Sequence, residues 1–177
     1  MKVLKPILIS ALFLLLVSLS LPFNYHFETL DPGPVRSFEK NCARCHGPQG
    51  SFYGEAFGQR EREDLRYIIE EMMFGPAFLS PSPADVHAMT AYHRALSNGE
   101  PFVCITKIDT LNKTIKGEVI PGNQLFIKQD GDKLKKIAVD SSGKWETGLP
   151  IKGLLIAKND SISIKMNPEK QQWTQKE

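Results

Sequence analysis

The pattern of apolar and polar positions divides the chain into three parts. An uncharged apolar run covers residues 7–21 and can be extended to Phe23. Between residues 31 and 100, two stretches repeat apolar residues at three- and four-residue steps, which is the period of an amphipathic helix. From residue 101 onward, short apolar segments alternate with turn signals, as is typical of β-strands. The pattern therefore predicts a leader, a helical part and a β part.

The first predicted helix covers residues 61–74. Charged residues occupy one face, and Gly75-Pro76 ends the helix because proline cannot continue it. The predicted apolar stripe consists of Leu65, Ile68, Ile69 and Met72.

The second predicted helix covers residues 82–97. Ser82 can cap its N-terminus, Pro83 suits the first turn, and Asp85 occupies the third helical position of a capping box. The predicted buried stripe consists of Val86, Met89, Tyr92, His93 and Leu96.

Six strands are predicted in the β part, separated by turn signals such as Pro121-Gly122 and Ser142-Gly143. Short strands at this spacing indicate a small two-sheet sandwich. The predicted strands cover 101–108, 114–119, 124–129, 134–139, 154–157 and 161–166.

The N-terminal segment 1–21 has the features of a secretory signal peptide. Lys2 and Lys5 precede the apolar run, and Ser18 and Ser20 supply the small residues that a signal peptidase recognises. Residues 7–23 also approach the roughly 20 apolar residues that a membrane-spanning helix needs. The segment is therefore expected to be a signal peptide or an N-terminal membrane anchor. Either role places the rest of the chain in the periplasm or another extracytoplasmic location, free or anchored to the cytoplasmic membrane.

Length and charge support two small domains after this leader. Residues 31–100 have seven basic and ten acidic side chains, whereas residues 101–177 have thirteen lysines and nine acidic side chains. This change predicts a helical domain at 31–100, a β domain at 101–170 and a polar tail at 171–177. No dense basic patch with interleaved aromatic residues is present in the sequence, which argues against a nucleic-acid partner.

The motif that carries chemistry is Cys42-Ala43-Arg44-Cys45-His46. Two cysteines three residues apart, followed at once by histidine, are the pattern of covalent c-type haem attachment. On a helical turn, residues three apart share a face, so that both thiols can bond to the vinyl groups of one haem. His46 is then placed to bind the iron as the proximal ligand.

Two other interpretations of this pair of cysteines stay open. A Cys-x-x-Cys pair also occurs in redox dithiols and in zinc sites. Zinc requires further ligands, and Cys104, His87 and His93 do not have the spacing of a familiar zinc module. A thioredoxin-like dithiol would follow a strand in a βαβ unit, and no such unit precedes Cys42.

The motif and its flanks resemble the class I cytochrome c family. Residues 37–47 are similar to the family's first helix and haem-attachment turn, and residues 84–96 are similar to its last helix. The resemblance covers about residues 33–99, and Phe38 and Tyr92 match the positions at which the family's two helices cross. It implies a mainly α domain with one covalent haem c, held by Cys42 and Cys45. It also implies His46 as the proximal iron ligand.

The resemblance leaves the sixth iron ligand open. The family usually supplies a methionine from the segment between the two helices, and Gly75 occupies the matching position here. Met73, at the helix end, is the first candidate; Met72, in phase with the apolar stripe, is the second, and His93 is the third. A vacant sixth site is also compatible with the sequence. Met89 is expected to pack in the core, and His87 to lie on the surface.

The loop after the motif supplies candidate walls for the haem. Gly47-Pro48-Gln49-Gly50 cannot continue a helix. Phe52, Tyr53 and Phe57 follow, and they are expected either to line the haem or to pack as ordinary loop residues.

The β part resembles bacterial immunoglobulin-like modules. The similarity rests on a Gly-x-x-x-Pro-Gly segment at 117–122 and an Asp-x-x-Gly-x-Trp hairpin at 140–145. It implies a small all-β sandwich in which Trp145 is a packing residue. Cys104 is expected to be a small buried hydrophobe. Lys133, Lys135 and Lys136 are expected to be a solvated face that can also attract an acidic partner.

Together these features predict an exported, non-enzymatic electron carrier. The expected fold is a class I cytochrome c domain followed by an immunoglobulin-like sandwich that docks redox partner proteins. Two alternatives remain at this point. One is a haem-based sensor or peroxidase-like protein with an open or labile sixth iron site. The other is a cell-envelope interaction protein in which haem is auxiliary.

Overall fold

The structure is a computed structural model that describes residues 28–54, 60–128, 133–149 and 153–174. The predicted leader, with its alternatives of signal peptide and anchor at 7–23, lies outside the described residues, as does Phe57. Within the ranges just given, no helix is both long enough and apolar enough to cross a membrane.

Four helices form the first part of the described chain. Their bounds are α1 Pro34–Asn41, α2 Ala43–His46, α3 Arg62–Phe74 and α4 Pro83–Ser97, with a 3₁₀ turn at Pro48–Gly50. The two helices predicted at 61–74 and 82–97 are confirmed to within one residue.

The N-terminus of α4 is closed by the predicted capping box. The Ser82 hydroxyl accepts a hydrogen bond from the backbone N–H of Asp85 at 3.2 Å. In return, the Asp85 carboxylate accepts from the backbone N–H of Ser82 at 2.9 Å. Two of the N–H groups that a helix leaves without partners are thereby satisfied, which explains why α4 begins where it does.

The buried face of α3 differs from the predicted one. Leu65, Ile69 and Met73, each four residues apart, are the buried residues of this helix. Met72, expected in the core stripe, is 37% exposed, whereas Met73 is only 4% exposed. The prediction that Met72 belongs to the core was therefore wrong. Periodicity alone does not fix the angle at which a helix meets its neighbours, and here packing favours the 65–69–73 line.

The contact between α1 and α4 is centred on two fully buried rings. Phe38 and Tyr92 are both 0% exposed, and their ring centroids are 5.6 Å apart in an edge-to-face arrangement. This confirms the predicted meeting of the two side chains. Edge-to-face pairs are favoured because the positive ring edge points at the negative ring face.

Seven strands form the second part of the described chain. They make two antiparallel sheets, in the orders β1-β2-β5 and β4-β3-β6-β7. The six predicted strands are present, some with shifted ends, and β5 is additional. The strands are β1 Val103–Asp109, β2 Thr114–Val119, β3 Gln124–Lys128, β4 Leu134–Ile137, β5 Lys144–Gly148, β6 Leu154–Lys158 and β7 Ser163–Met166.

The two sheets face each other across one apolar core. Residues of β1, β2 and β5 meet residues of β3, β4, β6 and β7 in a single buried cluster. Trp145 of β5 is 3% exposed and belongs to this cluster, as expected for a packing residue. Gly117 leaves space for its ring, because a Cβ there would overlap the Trp145 side chain.

The helices and strands share a second core. Phe102, Cys104 and Ile120 pack with the helical residues, while their neighbours Val103, Ile105 and Val119 face the sandwich. The side chains alternate because successive residues of a strand point to opposite faces. Cys104 is 0% exposed, which confirms the prediction that it is buried. The predicted boundary at residues 100–101 thus separates helices from strands, yet both sides contribute to one core.

The C-terminal segment is built onto the edge of β1. The backbone N–H of Ile105 donates to the Gln172 carbonyl at 2.7 Å, and the N–H of Thr174 donates to the Val103 carbonyl at 2.9 Å. Trp173 packs against the helical core. Residues 171–174 of the expected polar tail therefore belong to the folded unit, because they supply partners for an otherwise open strand edge.

Candidate haem site

Cys42 joins α1 to the short helix α2, and Cys45 lies within α2. Cys42 ends α1, and its carbonyl accepts hydrogen bonds from the N–H groups of Cys45 and His46, both at 3.0 Å. Gly47 then stops the turn with a φ of +75°. Glycine is favoured here by the backbone conformation, and a Cβ would also require the Ser51 hydroxyl to move.

An open cleft lies beside these residues. Cys42, Cys45 and His46 line it, and the other walls come mainly from helices α3 and α4 and from residues 76–77. The three residues of the motif are thus brought to one concave, mainly apolar surface.

The wall supplied by α3 is apolar but incompletely covered. Ile68, Ile69, Met72 and Met73 line the cleft, and Ile68 and Met72 stay partly exposed there. The Leu65–Ile69–Met73 line faces the core, so Ile68 and Met72 form a second apolar edge on the same helix. An apolar edge that faces a cleft is suited to an apolar ligand, because covering it removes hydrocarbon from water.

All three candidates for the sixth iron ligand line this cleft. Met73 is 4% exposed and His93 is 5% exposed, whereas Met72 is 37% exposed. Met89 packs in the core as expected and also lines the cleft. His87 is exposed as expected, and it lines a different pocket.

His93 is held by a tyrosine from the loop after the motif. The Tyr53 hydroxyl lies 2.5 Å from Nδ1 of His93. Burial, together with the nearby His46, lowers the pKa of His93 to about 3. The imidazole is therefore neutral at physiological pH, and any bond from His93 to a metal has to use Nε2.

Tyr53 also lies next to His46, the candidate for the proximal iron ligand. The ring centroids of Tyr53 and His46 are 5.2 Å apart, and Phe38 lies 6.5 Å from His46. Gly50 allows this packing, because a Cβ there would meet the Tyr53 ring at 2.5 Å. Phe52 is 73% exposed. Of the two described aromatic residues expected as haem walls, Tyr53 packs against the ring of His46, but neither residue lines the cleft.

The Cys42 thiol lacks the lowered pKa of a reactive dithiol. Cys42, Cys45 and Cys104 are all free. Burial, with smaller contributions from Cys45 and Glu39, raises the pKa of Cys42 to about 11. Reactive dithiols require the opposite shift, because the thiolate is the nucleophile. In the ranges that the structure describes, no group of three or more His, Cys, Asp or Glu side chains is arranged to hold a metal ion.

Two residues near the motif were missed by sequence reasoning. Tyr53 was expected only as a possible wall, yet it is the hydrogen-bonding partner of His93. Glu118, from β2, contacts the start of α1 and was not singled out. One feature of the sequence could have identified Glu118: it is the only charged residue in residues 117–120. A buried strand rarely carries a carboxylate, so a charge at this position indicates a partner.

Comparison with models of known protein families, with curated proteins and with solved structures gives no match for this chain.

Proposed function

We propose that the chain is an exported c-type cytochrome that carries electrons through one covalently attached haem. The observation that carries the proposal is the cleft itself: it joins two free thiols and an imidazole on one turn to an apolar wall that contains two methionines. When bound, haem supplies a single reversible electron transfer, in which its iron alternates between Fe(III) and Fe(II).

In this proposal the residues of the motif hold the haem. Cys42 and Cys45 each form one thioether, and His46 is the proximal ligand of the iron. The cleft residues fit such a group, since the thiols are unpaired and Ile68, Ile69 and Met89 offer hydrocarbon for the macrocycle. The neighbouring rings of Phe38 and Tyr53 limit the orientations open to His46.

Met73 is the proposed distal ligand. Its side chain is almost completely buried and yet lines the cleft, so its sulfur is already removed from water beside the site. Met72 lines the same cleft from a more exposed position and is the second candidate. His93 is the third, because Tyr53 already engages one of its two ring nitrogens. Methionine ligation raises the reduction potential of haem iron relative to histidine ligation.

The electron donor and acceptor are proposed to be redox proteins outside the cytoplasmic membrane, with the β part as the docking domain. Lys133, Lys135 and Lys136 are exposed on and beside β4, an edge strand of its sheet. Such a group of lysines attracts an acidic partner surface, and salt weakens the attraction. Lys135→Glu should therefore slow reduction of the haem by membranes from the producing cells. Lys165→Glu, exposed on the opposite edge strand β7, is the matched control.

The experiment that tests the electron-carrier role is absorption spectroscopy of protein made with a haem-attachment system. The oxidised and reduced spectra are recorded with and without carbon monoxide. A thioether–iron charge-transfer band in the oxidised protein, and little carbon monoxide binding by the reduced protein, are expected of a six-coordinate His/Met carrier.

Two results would contradict that role. Rapid and complete carbon monoxide binding would indicate an open sixth site and favour a sensor or a peroxidase-like protein. A protein without haem would return the motif to zinc or dithiol chemistry and would leave the envelope-interaction alternative as the better account of the β part.

A further inference from the structure

The start of α1 is held by a carboxylate from the β part. Oε2 of Glu118 accepts hydrogen bonds from the backbone N–H groups of Val35 at 2.9 Å and Arg36 at 3.2 Å. Its other oxygen, Oε1, accepts from Nε of Arg36 at 2.6 Å. Glu118 lies on β2 and is 1% exposed. One side chain of the second half of the chain therefore caps the helix that leads into the motif.

The arrangement replaces an ordinary helix cap. Gly33 is the N-cap residue of α1, and no side chain of the helix's own segment caps it. A Cβ on Gly33 would meet Oε2 of Glu118 at 2.5 Å and a methyl group of Thr106 at 2.6 Å. Glycine thus allows the carboxylate to approach the first turn directly, where the positive end of the helix dipole favours a negative charge.

A buried carboxylate is costly unless it is fully paired, and Glu118 is paired on both oxygens. Arg36 reaches it from a position that is 35% exposed and also contacts Asp31 at 3.2 Å. The hydrogen bond and charge of Glu118 raise the pKa of Arg36, which keeps the guanidinium charged. The contact between α1 and β2 therefore depends on this particular pairing of Glu118 with Arg36 and the backbone of α1.

The far end of α1 is the haem-attachment turn. The helix has only eight residues, and the N–H of Cys42 still donates to the Phe38 carbonyl at 2.7 Å. Phe38 fixes the middle of the helix against Tyr92, and Glu118 fixes its start. A short helix held at these two points has its direction determined, and the turn that follows moves with it.

We propose that Glu118 is a positioning residue for the haem site: by holding the start of α1, it sets the direction in which Cys42, Cys45 and His46 face the cleft. This inference rests on the proposed haem function. It makes the β part a structural component of the site, in addition to any role in docking partners.

The test compares Glu118→Gln with Glu146→Gln in the full-length, haem-loaded protein. Glu146 is the matched control, because it lies on neighbouring strand β5 and pairs with Lys116 while half exposed. Reduction potential and the fraction of reduced protein that rapidly binds carbon monoxide are measured at a temperature well below unfolding. Loss of a hydrogen bond to a charged group typically changes an equilibrium constant tenfold or more. The fraction of reduced Glu118→Gln that rapidly binds carbon monoxide should therefore rise about tenfold. Its reduction potential should also change, and neither quantity should change in Glu146→Gln.

The outcomes separate this inference from the proposed function. Wild-type protein without covalent haem would overturn both. Haem in the wild type, with Glu118→Gln less stable but unchanged in potential and carbon monoxide binding, would overturn the positioning role alone. If Glu118→Gln does not fold, Gly33→Ala is the second variant, because its Cβ would displace the Glu118 carboxylate from the first turn of α1. It must change the same two quantities in the same direction, and unchanged values would also overturn the positioning role.

Discussion

The hydroxyl of Tyr53 lies 2.5 Å from Nδ1 of His93 and joins the loop after the motif at residues 42–46 to helix α4. His93 is 5% exposed, so its ring has little access to water. Tyr53 therefore fastens the loop that begins at Gly47 to the helical core, and its ring lies between those of His93 and His46.

Tyr53→Phe should destabilise the protein by about 1–3 kcal/mol, since a buried polar nitrogen loses a hydrogen-bonding partner. Phe52→Leu is the matched control, because Phe52 is the preceding residue and is mostly exposed. Urea-induced unfolding of both variants measures the difference. Equal stability of Tyr53→Phe and the wild type would show that this hydrogen bond has no net energetic value.

Met73→Leu should remove the thioether–iron charge-transfer band and lower the reduction potential, while Met72→Leu should leave both unchanged. Leucine has nearly the same volume as methionine, so the packing of α3 is little disturbed. Absorption spectroscopy and a redox titration measure the two quantities. If the band is lost in Met72→Leu instead, the more exposed methionine is the ligand; if both variants retain it, neither methionine is.

Gly47→Ala should cost about 1–3 kcal/mol of stability, because the residue has a φ of +75° and a Cβ would overlap Ser51. Gly54→Ala is the control in the same segment, where a Cβ would meet no atom of the described residues within 4 Å. That variant should be neutral or slightly more stable, since alanine restricts the unfolded chain. Thermal unfolding measures both, and equal stabilities would contradict the required geometry at Gly47.

The thiol of Cys42 should react slowly with iodoacetamide in haem-free protein at pH 8. Burial raises its pKa to about 11, so little thiolate is present, and the rate should continue to rise as the pH approaches that value. Peptide mapping by mass spectrometry follows Cys42 separately from the other cysteines, and urea-unfolded chain gives the reference rate. A rate that reaches its plateau below pH 8 would favour a redox dithiol.

Sequence reasoning succeeded where the signal is local. The start of α4 followed from Ser82, Pro83 and Asp85, which lie next to each other in the chain and satisfy each other's backbone groups. The Phe38–Tyr92 contact was anticipated from the family resemblance alone. The motif identified the candidate thiols and imidazole, because their function depends on spacing within five residues.

It failed where the answer depends on distant residues. Met72 and Met73 differ by one position, and only the packing of α3 against its neighbours decides which of them is buried. Glu118 lies 83 residues from Val35, its first backbone partner, so no local pattern connects them. Strand β5 was missed because its residues other than Trp145 are polar or glycine. With a single buried apolar side chain, the strand shows no alternation of apolar and polar residues in the sequence.

In the proposed function, Cys42 and Cys45 hold one haem covalently. The most direct measurement is the intact mass of the denatured chain, after production with a haem-attachment system, for wild type, Cys42→Ala plus Cys45→Ala, and Cys104→Ala. Cys104 is the matched control, because it is a free cysteine that does not line the cleft. The wild type and Cys104→Ala should retain the mass of one haem, and the double variant should lose it. A wild-type chain without added mass, or a double variant that keeps it, would contradict the account.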